Sequence, residues 1–281
     1  MFEQVTILAP GLLGGSLAMA VRHFSLARRI HVWARRAEAR EACRASSWCD
    51  AVFSDSAQSV EGSDLVVVCT PVDTIAEKVR EIAPALARGS LVTDVGSTKS
   101  RICRLCARAV PEGSTFLGSH PMAGSEKGGL EHAHSLLFDK RACLVTPLES
   151  MPPGPLDQLV RFWRGLGMEV TTVSPERHDE IVAHISHLPH LLASALCLQL
   201  SRAPAAWQAF AGNGLRDTTR IAAGGEEIWR SIFEENREEL LRALDAFEEQ
   251  LGRLRSHMYN GDWAQVRHLL AQARSYREAL D

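Results

Sequence analysis

The stretch VTILAPGLLGGSLAMA, residues 5–20, decides the fold. Residues 5–8 predict a buried strand, and a glycine-rich turn leads from it into a helical run. This order is the context of a dinucleotide-binding fingerprint, in which a helix N-terminus offers free N–H groups to a pyrophosphate. Gly11 would let the backbone approach the phosphates, and Gly14 would let the helix pack closely on the strand. Ala9 stands where the fingerprint has its first glycine, so the stretch by itself also fits an ordinary glycine turn.

The end of the second predicted strand bears on cofactor choice. This strand, Ile30 to Trp33, ends about twenty residues after the glycines, where the residue that reads the ribose belongs. An NAD enzyme usually has an acid there, whereas this chain has Arg35 and Arg36. A guanidinium pairs with a ribose 2′-phosphate that a carboxylate would repel. We therefore expect NADP in preference to NAD; two solvated arginines at a helix start are the alternative.

Further strands extend the pattern into a sheet. The nearly continuous apolar run 64–71 predicts a central parallel strand, and 90–95 predicts another. Helical segments alternate with these strands, which predicts a Rossmann-type doubly wound parallel α/β sheet. Ligands bind such sheets at the carboxyl ends of the strands. Thr70, Ser97 and His120 all follow strands, so we expect them to share one crevice.

The residues around Ser97 have several possible roles. Ser97 could hydrogen-bond a substrate hydroxyl or His120, or it could cap the helix that starts near Lys99. We expect Asp94 to shape the turn at the strand end and Lys99 to be solvated in the first turn of the helix.

The segment GSHPMAGSEKGG, residues 118–129, carries His120 between glycines and a proline. Such punctuation predicts a stiff loop at a strand end, and a helix-like stretch is expected to follow it up to Lys140. A histidine held in this way can act as a general acid or base near neutral pH. The alternative is a loop histidine that satisfies a neighbouring backbone group.

Ser174-Pro175 is the best domain boundary. Strands at 142–146 and 168–173 are expected to finish the sheet before it, and the pattern after it is helical. We expect a Rossmann-type dinucleotide-binding domain over 1–174 and an all-α substrate and dimerisation domain over 175–281.

The helical half carries two candidate ligand-binding features. A long helix over 176–201, interrupted at Pro189, contains an HxxHxxH run that ends at His190. Histidines at this spacing span a wide arc without a nearby carboxylate, so we expect no metal and a polar face beside the crevice instead. The glycine-rich loop 212–220 holds Arg220, which could clamp a substrate carboxylate or pair with Asp217.

Composition narrows the class of protein. The 281 residues have a net charge of −3, which gives no reason to expect a nucleic-acid partner. We find no apolar run approaching the roughly 18 residues that cross a bilayer, and no cationic leader before the first strand. Seven scattered cysteines suit a reducing compartment. We therefore expect a cytoplasmic enzyme without a membrane partner.

Five groups of motifs together resemble one family. They are GLLGGSLA (11–18), DVGSTK (94–99), GSHPMAGSEKGG (118–129), SPERHDEIVAHISHLPH (174–190), and DTTRIA with IWRSIFEEN (217–236). In this order they resemble the prephenate/arogenate dehydrogenases of tyrosine biosynthesis. The resemblance implies oxidative decarboxylation of prephenate to 4-hydroxyphenylpyruvate, with hydride transfer to NAD(P)⁺, in a homodimer assembled through the C-terminal helices.

The resemblance also implies roles for individual residues. His120 would take the proton of the substrate C4 hydroxyl, with Ser97 orienting both. The residues implied near the substrate are Arg220, His187, Glu126, Ser125, Trp229, His178 and Asp179. Those expected at the cofactor are Gly11, Leu12, Leu13, Gly14, Arg35, Arg36, Thr70 and Ser97.

Other functions remain open on sequence alone. The nearest is arogenate or dual-specificity cyclohexadienyl dehydrogenase, which would make tyrosine directly. A hydroxyacid dehydrogenase of similar build would explain the fingerprint but not the 118–129 segment. A regulatory protein that binds the cofactor without chemistry would not need Ser97, His120 and Arg220 together.

Overall fold

The computed structural model describes residues 1–124, 128–149, 151 and 153–280. Six parallel strands form the main sheet in the order β3-β2-β1-β4-β5-β6. They are β1 (Phe2–Leu8), β2 (Ala27–Trp33), β3 (Ala51–Phe53), β4 (Leu65–Val68), β5 (Leu91–Asp94) and β6 (Thr115–Phe116). This order reverses between β1 and β4, as in a Rossmann fold, and the predicted doubly wound parallel sheet is confirmed.

Helices cover both faces of this sheet, and its central strands are therefore buried. All four residues of β4 are buried, as are those of β5. The covering helices are α1 (Leu12–His23), α2 (Ala37–Arg44), α3 (Ser56–Val60), α4 (Val72–Ile82), α5 (Ser100–Ala109) and α6 (Pro153–Gly165). The side chains between the helices and the sheet form two apolar clusters. These clusters hold the strands in place, and the polar loops follow the ends of those strands.

The strands after β6 do not continue the main sheet as expected. They form a separate three-stranded sheet of β7 (Gly118–Pro121), β8 (Ala142–Thr146) and β9 (Glu169–Thr172). β7 and β8 are antiparallel, with His120 opposite Leu144. At Gly118 a Cβ atom would lie 2.5 Å from both Cys103 Sγ and Thr146 Oγ1, so only glycine passes through this crossing between the sheets.

Two predictions around this second sheet are also wrong. His120 belongs to β7 and is not on a loop. The helix expected after it, up to Lys140, is a short 3₁₀ turn over Leu130–His132 followed by turns.

The helical half begins with one long stretch that contains a π-helical segment. Helix α7 (Pro175–Val182) passes through the π segment Ala183–His187 into α8 (Leu188–Leu200). Pro189 lacks the N–H that an α-helix needs at this point, and the wider π turn just before it accommodates the missing bond. The loop expected over 212–220 is instead mostly helical: α9 (Asn213–Thr219) leads into a 3₁₀ helix, Arg220–Ala223, and α10 (Glu226–Glu235) follows.

The chain divides into two compact units, Met1–Asn236 and Arg237–Asp281. The second unit is a helical pair, α11 (Arg237–Tyr259) and α12 (Trp263–Glu278). The boundary predicted after Ser174 separates the dinucleotide-binding domain from the helical substrate domain. It is a boundary between functions and stays a prediction.

One helical stretch of the described residues, 175–200, is apolar and long enough to cross a membrane by length and composition alone. The mean hydropathy of its most apolar window is 1.5, and 33% of that window is buried. The expectation that no apolar stretch would be long enough to cross a bilayer was wrong. Every such window contains His187 and His190, which are both buried in the site described below.

Candidate active site

The turn after β1 forms a cradle at the carboxyl edge of the main sheet. Gly11 is the N-cap of α1, and it makes no side-chain bond to the free N–H groups there. A Cβ atom on Gly11 would meet nothing within 4 Å, whereas one on Gly14 would lie 2.4 Å from the Ala9 carbonyl oxygen. The open space at Gly11 and the close packing at Gly14 have the shape needed for a pyrophosphate.

Ala9 adopts the left-handed conformation, with φ of 73°. This conformation favours glycine, which explains why fingerprints have glycine at this position. The substitution therefore keeps the shape of the turn at a cost in backbone strain.

Other predicted cofactor residues surround the cradle. Leu12 and Leu13 open α1. The hydroxyl of Thr70, at the end of β4, is buried without a hydrogen-bond partner, so it is available to a bound ligand. These features fit a dinucleotide.

Arg35 and Arg36 are exposed directly after β2, and the next acidic residue is Glu38. Arg40 Nη1 donates to the carbonyl oxygens of Ala34 and Arg35 at 2.9 and 2.7 Å, which holds this loop in place.

His120 lies in a chain of three side chains that joins the two halves of the sequence. Its Nδ1 is 2.9 Å from His178 Nε2, and His178 Nδ1 is 2.8 Å from Asp179 Oδ1. His178 and Asp179 come from α7, whose N-cap Ser174 accepts the Arg177 N–H. All three side chains are nearly or fully buried. The sequence predicted these residues together, and the structure places them in contact.

Asp179 also holds the loop that carries Ser97. Its carboxylate accepts the backbone N–H groups of Lys99 and Ser100 at 2.7 and 2.8 Å. Asp179 therefore caps α5 from another part of the chain, and the prediction that Ser97 caps this helix is wrong. Ser97 itself is half-buried, and its backbone partly opposes the lowering of the pKa of His187.

Burial and neighbouring positive charge keep the site histidines neutral. The pKa of His120 is lowered well below 6.5, first by burial and then by His178, Lys99 and His187. Burial also lowers the pKa of His178, although the Asp179 carboxylate opposes this. The pKa of His187 falls to about 4, mainly because of burial. Neutral imidazole at physiological pH is the form that can accept a proton.

A buried ion pair lies beneath the site. Lys99 Nζ contacts Asp94 Oδ2, and both side chains are fully buried. Asp94 also accepts the N–H of Gly96 at 2.8 Å, which confirms its role in the turn. The prediction that Lys99 is solvated is wrong, because its partner at the end of β5 holds it inside. The strand of His120 is held here too, through Ser119 Oγ donating to the Asp94 carbonyl oxygen at 2.7 Å.

A second group of rings adjoins His187. Its Nδ1 is 3.1 Å from Asn236 Nδ2, while its buried Nε2 has no hydrogen-bond partner. Trp229 packs edge-on to His187 and stacks on His190, with ring centroids 3.6 Å apart in the second pair. Gly224 makes room for this stack, since a Cβ there would lie 2.5 Å from Trp229 Nε1.

The comparisons with known proteins agree with this geometry. Residues 17–172 match the family model for the prephenate dehydrogenase nucleotide-binding domain, and residues 174–272 match that for the prephenate dehydrogenase dimerization domain. The chain belongs to the prephenate dehydrogenase family. It is accordingly a nicotinamide-dependent oxidoreductase.

Three relatives show how closely the chain follows the prephenate dehydrogenase family. It is 28% identical to a Bacillus subtilis prephenate dehydrogenase over all of this chain and 76% of the relative. It is equally identical to a Zymomonas mobilis cyclohexadienyl dehydrogenase, over 99% of this chain and 96% of the relative. The solved structure of A. aeolicus prephenate dehydrogenase with hydroxyphenyl propionate and NAD⁺ superposes with a TM-score of 0.94 at 28% identity, covering 100% and 99% of the two chains.

The remaining predicted site residues of this family member are placed less centrally. Arg220 is exposed at the start of the 3₁₀ helix that follows α9. Ser125 and Glu126 lie outside the described residues. In the HxxHxxH run, His184 is exposed while His187 and His190 are buried, and in the described ranges no three histidine, cysteine or carboxylate side chains are grouped to hold a metal ion.

Sequence reasoning missed three contributors to this site. Asn236 donates to the Asp179 carbonyl oxygen at 2.8 Å and contacts His187, yet it entered the sequence analysis only as the last residue of the motif IWRSIFEEN, without a role. The Asp94–Lys99 pair was given minor roles, although the spacing of five residues across a strand-to-helix turn was a usable signal. His190 appeared in the HxxHxxH run but was not assigned to the substrate pocket.

Proposed function

We propose that this enzyme is a prephenate dehydrogenase that converts prephenate to 4-hydroxyphenylpyruvate and carbon dioxide while reducing NADP⁺ or NAD⁺. The observation that carries the proposal is a buried imidazole, His120, whose pKa lies well below 6.5, in a chain that also has a dinucleotide cradle. Similarity over nearly the whole chain to prephenate and cyclohexadienyl dehydrogenases supports a substrate of the prephenate and arogenate class.

The proposed chemistry needs few protein groups. The nicotinamide, when bound, accepts the hydride from C4 of the substrate. His120 accepts the proton of the C4 hydroxyl, and Ser97 orients that hydroxyl. Loss of carbon dioxide is driven by aromatisation of the ring, so the protein mainly positions the substrate and removes this proton.

We assign cofactor binding and substrate binding to two separate groups of residues. The N-terminus of α1 at Gly11, with Leu12, Leu13 and Thr70, would hold the pyrophosphate region of the cofactor. Arg220 would pair with a substrate carboxylate, and Trp229, His187 and His190 would line the pocket. Ser125 and Glu126 keep their predicted places near the substrate on the strength of the sequence resemblance.

We propose NADP as the preferred cofactor. Arg35 and Arg36 are exposed after β2 with no acid between the strand and Glu38, which favours a 2′-phosphate over a free 2′-hydroxyl. Steady-state kinetics with both cofactors test this preference. A higher kcat/KM with NAD⁺ would refute the proposal that these arginines recognise a 2′-phosphate.

The competing substrate is arogenate. A cyclohexadienyl dehydrogenase relative has the same identity as the Bacillus subtilis prephenate dehydrogenase, so similarity favours neither substrate. The decisive assay follows the absorbance of reduced cofactor with prephenate and then with arogenate. A larger kcat/KM with prephenate supports the proposal, whereas a larger value with arogenate replaces it with the alternative.

We further propose a cytoplasmic homodimer without nucleic-acid or membrane partners. The match of 174–272 to a dimerization-domain model supports assembly through the C-terminal helices, and the match boundaries at 172 and 174 support functional domains of 1–174 and 175–281. All seven cysteines are free thiols, which suits a reducing compartment.

A further inference from the structure

The carboxylate of Asp179 fixes the proton positions in the chain of side chains that ends at His120. An ionised carboxylate accepts hydrogen bonds and donates none. Burial opposes ionisation of Asp179, but its bonds with His178 and the Ser100 N–H outweigh burial, and its pKa is lowered. Both oxygens face N–H donors, since Oδ1 accepts from Lys99 and Oδ2 from Ser100. The 2.8 Å contact from Oδ1 to His178 Nδ1 therefore requires a proton on that nitrogen.

The proton on Nδ1 determines what the other nitrogen of His178 can do. Because its lowered pKa keeps His178 neutral, its Nε2 bears a lone pair and acts as an acceptor. This Nε2 lies 2.9 Å from His120 Nδ1, so His120 must donate from Nδ1. A neutral His120 with its proton on Nδ1 has a lone pair on Nε2.

We propose that Asp179 and His178 are positioning residues that set the tautomer of His120, so that Nε2 is the atom that takes the substrate proton. They act on the substrate only through His120, in place of the direct contact expected from sequence. The inference rests on the proposed function for the identity of the proton donor. In the step itself the substrate O–H bond breaks and an N–H bond forms at His120 Nε2. The hydride that leaves C4 as the carbonyl forms would be accepted by a nicotinamide held at the N-terminus of α1.

The opposite tautomer would disable the base. With the proton on Nε2, His120 would have no lone pair facing away from His178, because its remaining acceptor, Nδ1, already faces His178 Nε2 at 2.9 Å. An orienting carboxylate has the same task in the serine protease triad, where it holds a histidine in the productive tautomer. Here the imidazole of His178 lies between Asp179 and the base, His120, so the carboxylate orients the base through His178.

The charged and titratable groups around His120 come from several elements. Lys99 lies at the start of α5, His178 in α7 and His187 in the π segment, and each lowers the pKa of His120. Asp179 and Asp94 act on His178 from α7 and β5 and raise its pKa.

Two variants at one position separate orientation from packing. His178→Phe keeps a ring of similar size but cannot bridge Asp179 and His120. His178→Gln has a carboxamide whose nitrogen can donate to Asp179 and whose oxygen can accept from His120. We expect kcat with prephenate to fall on the order of 100-fold in His178→Phe, with KM changed less than about threefold.

His178→Gln should recover most of the lost kcat, because its carboxamide can bridge Asp179 and His120. A folded His178→Phe variant with kcat within about threefold of wild type would overturn the inference. Equal impairment of the Phe and Gln variants would also overturn it, because packing alone would then explain the loss.

Nitrogen-15 NMR of histidine-labelled wild-type protein reads the tautomer without any substrate. The His120 signals are assigned by their absence from the His120→Asn spectrum. A protonated Nδ1 and an unprotonated Nε2 support the inference, and the opposite pattern overturns it. If neither prephenate nor arogenate is oxidised while His120 shows the Nδ1–H tautomer, the proposed function fails and the positioning pair stands. If prephenate is oxidised with His120 in the Nε2–H tautomer, only the positioning pair fails.

Discussion

At the residue scale, the site keeps His120, His178 and His187 neutral by burying them close together. Each has a folded-state pKa below the ordinary value near 6.5. The unfolded chain therefore binds protons more readily than the folded one as the pH falls below about 6.5. The arrangement that supplies a neutral base thus makes the fold sensitive to acid.

This sensitivity can be measured as a loss of stability. The free energy of unfolding should be nearly constant just above pH 6.5 and should fall between pH 6.5 and 4. The pKa of His187 near 4 corresponds to a contribution of about 3 kcal/mol. Urea unfolding across this range should show a shallower fall in His187→Gln. The matched control is His184→Gln, since His184 is exposed in the same helical stretch; an equal effect of the two variants would contradict the explanation.

The lowered pKa of His120 also predicts the pH dependence of the rate. The active form is the neutral imidazole, so kcat/KM should stay flat from about pH 8 to 6.5 and decline only at lower pH. A pH–rate profile with saturating cofactor checks this. An acid-limb midpoint at pH 7 or above would mean that His120 is not the titrating base or is not buried in solution.

Predictions for single residues succeeded where the residue lies in a recognisable motif. They failed where the position of a side chain depends on a partner that the local sequence does not reveal. His120 and Ser97 stood out because glycine and proline punctuate their segments. Nothing local marks Asp179 as the cap of a helix that begins eighty residues earlier in the chain. Lys99 was placed in solvent because an isolated lysine is rarely buried, and its burial follows from the pairing with Asp94.

At the element scale, the turn between β1 and α1 has two glycines with different tasks. Gly14 is required for helix–strand packing, since a Cβ there would lie 2.4 Å from the Ala9 carbonyl oxygen and 3.2 Å from Cys69 Cβ. Gly11 faces open space, so its task concerns the ligand.

A pair of alanine variants tests this division of tasks. Gly14→Ala should lower Tm measurably, because the backbone of the turn must shift to admit the methyl group. Gly11→Ala should leave Tm within about 1 °C of wild type and weaken cofactor binding by about tenfold, because the methyl group takes space needed by the phosphates. Thermal unfolding and cofactor titration by fluorescence measure the two effects; a large Tm loss in Gly11→Ala would contradict the assignment.

Helices and strands with a clear hydrophobic pattern were predictable from sequence. Features that depend on which segments pack together in the folded chain were not. β4 was found because a strand buried on both faces is continuously apolar. The separate sheet β7-β8-β9 was missed, because the period of a strand does not say which strand it pairs with. The π segment before Pro189 was anticipated only as an interruption of the helix.

At the scale of the whole molecule, exposed apolar side chains in the C-terminal segment bear on the proposed dimer. Several large apolar side chains between residues 174 and 272 are exposed in the single chain. They include Leu198, Phe210, Leu251 and Met258. This is the segment that matches a dimerization-domain model, and such exposure fits a covered surface.

Light scattering coupled to gel filtration should give about twice the chain mass of 30.9 kDa. Leu198→Glu, on a side chain 67% exposed, should shift the protein towards monomer. Leu136→Glu is the matched control, with 56% exposure outside that segment, and should leave the mass unchanged. A wild-type monomer, or equal behaviour of both variants, would contradict assembly through the C-terminal segment.

The overall division into a dinucleotide-binding sheet and a helical half was predictable, since strand patterns stop near residue 173. How α7 inserts His178 and Asp179 beside His120 was not, because the approach of two distant segments leaves no periodic trace. The order of motifs along the chain carried that information only through resemblance to a family.

The central claim is that the neutral imidazole of His120 removes the proton of the substrate hydroxyl. The most direct test compares wild type with His120→Asn in the steady-state oxidation of prephenate. The variant should lose between about 10²-fold and 10⁴-fold in kcat, while KM for prephenate stays within about threefold, because the base acts mainly in the transition state. A His120→Asn enzyme with nearly wild-type kcat would contradict the claim.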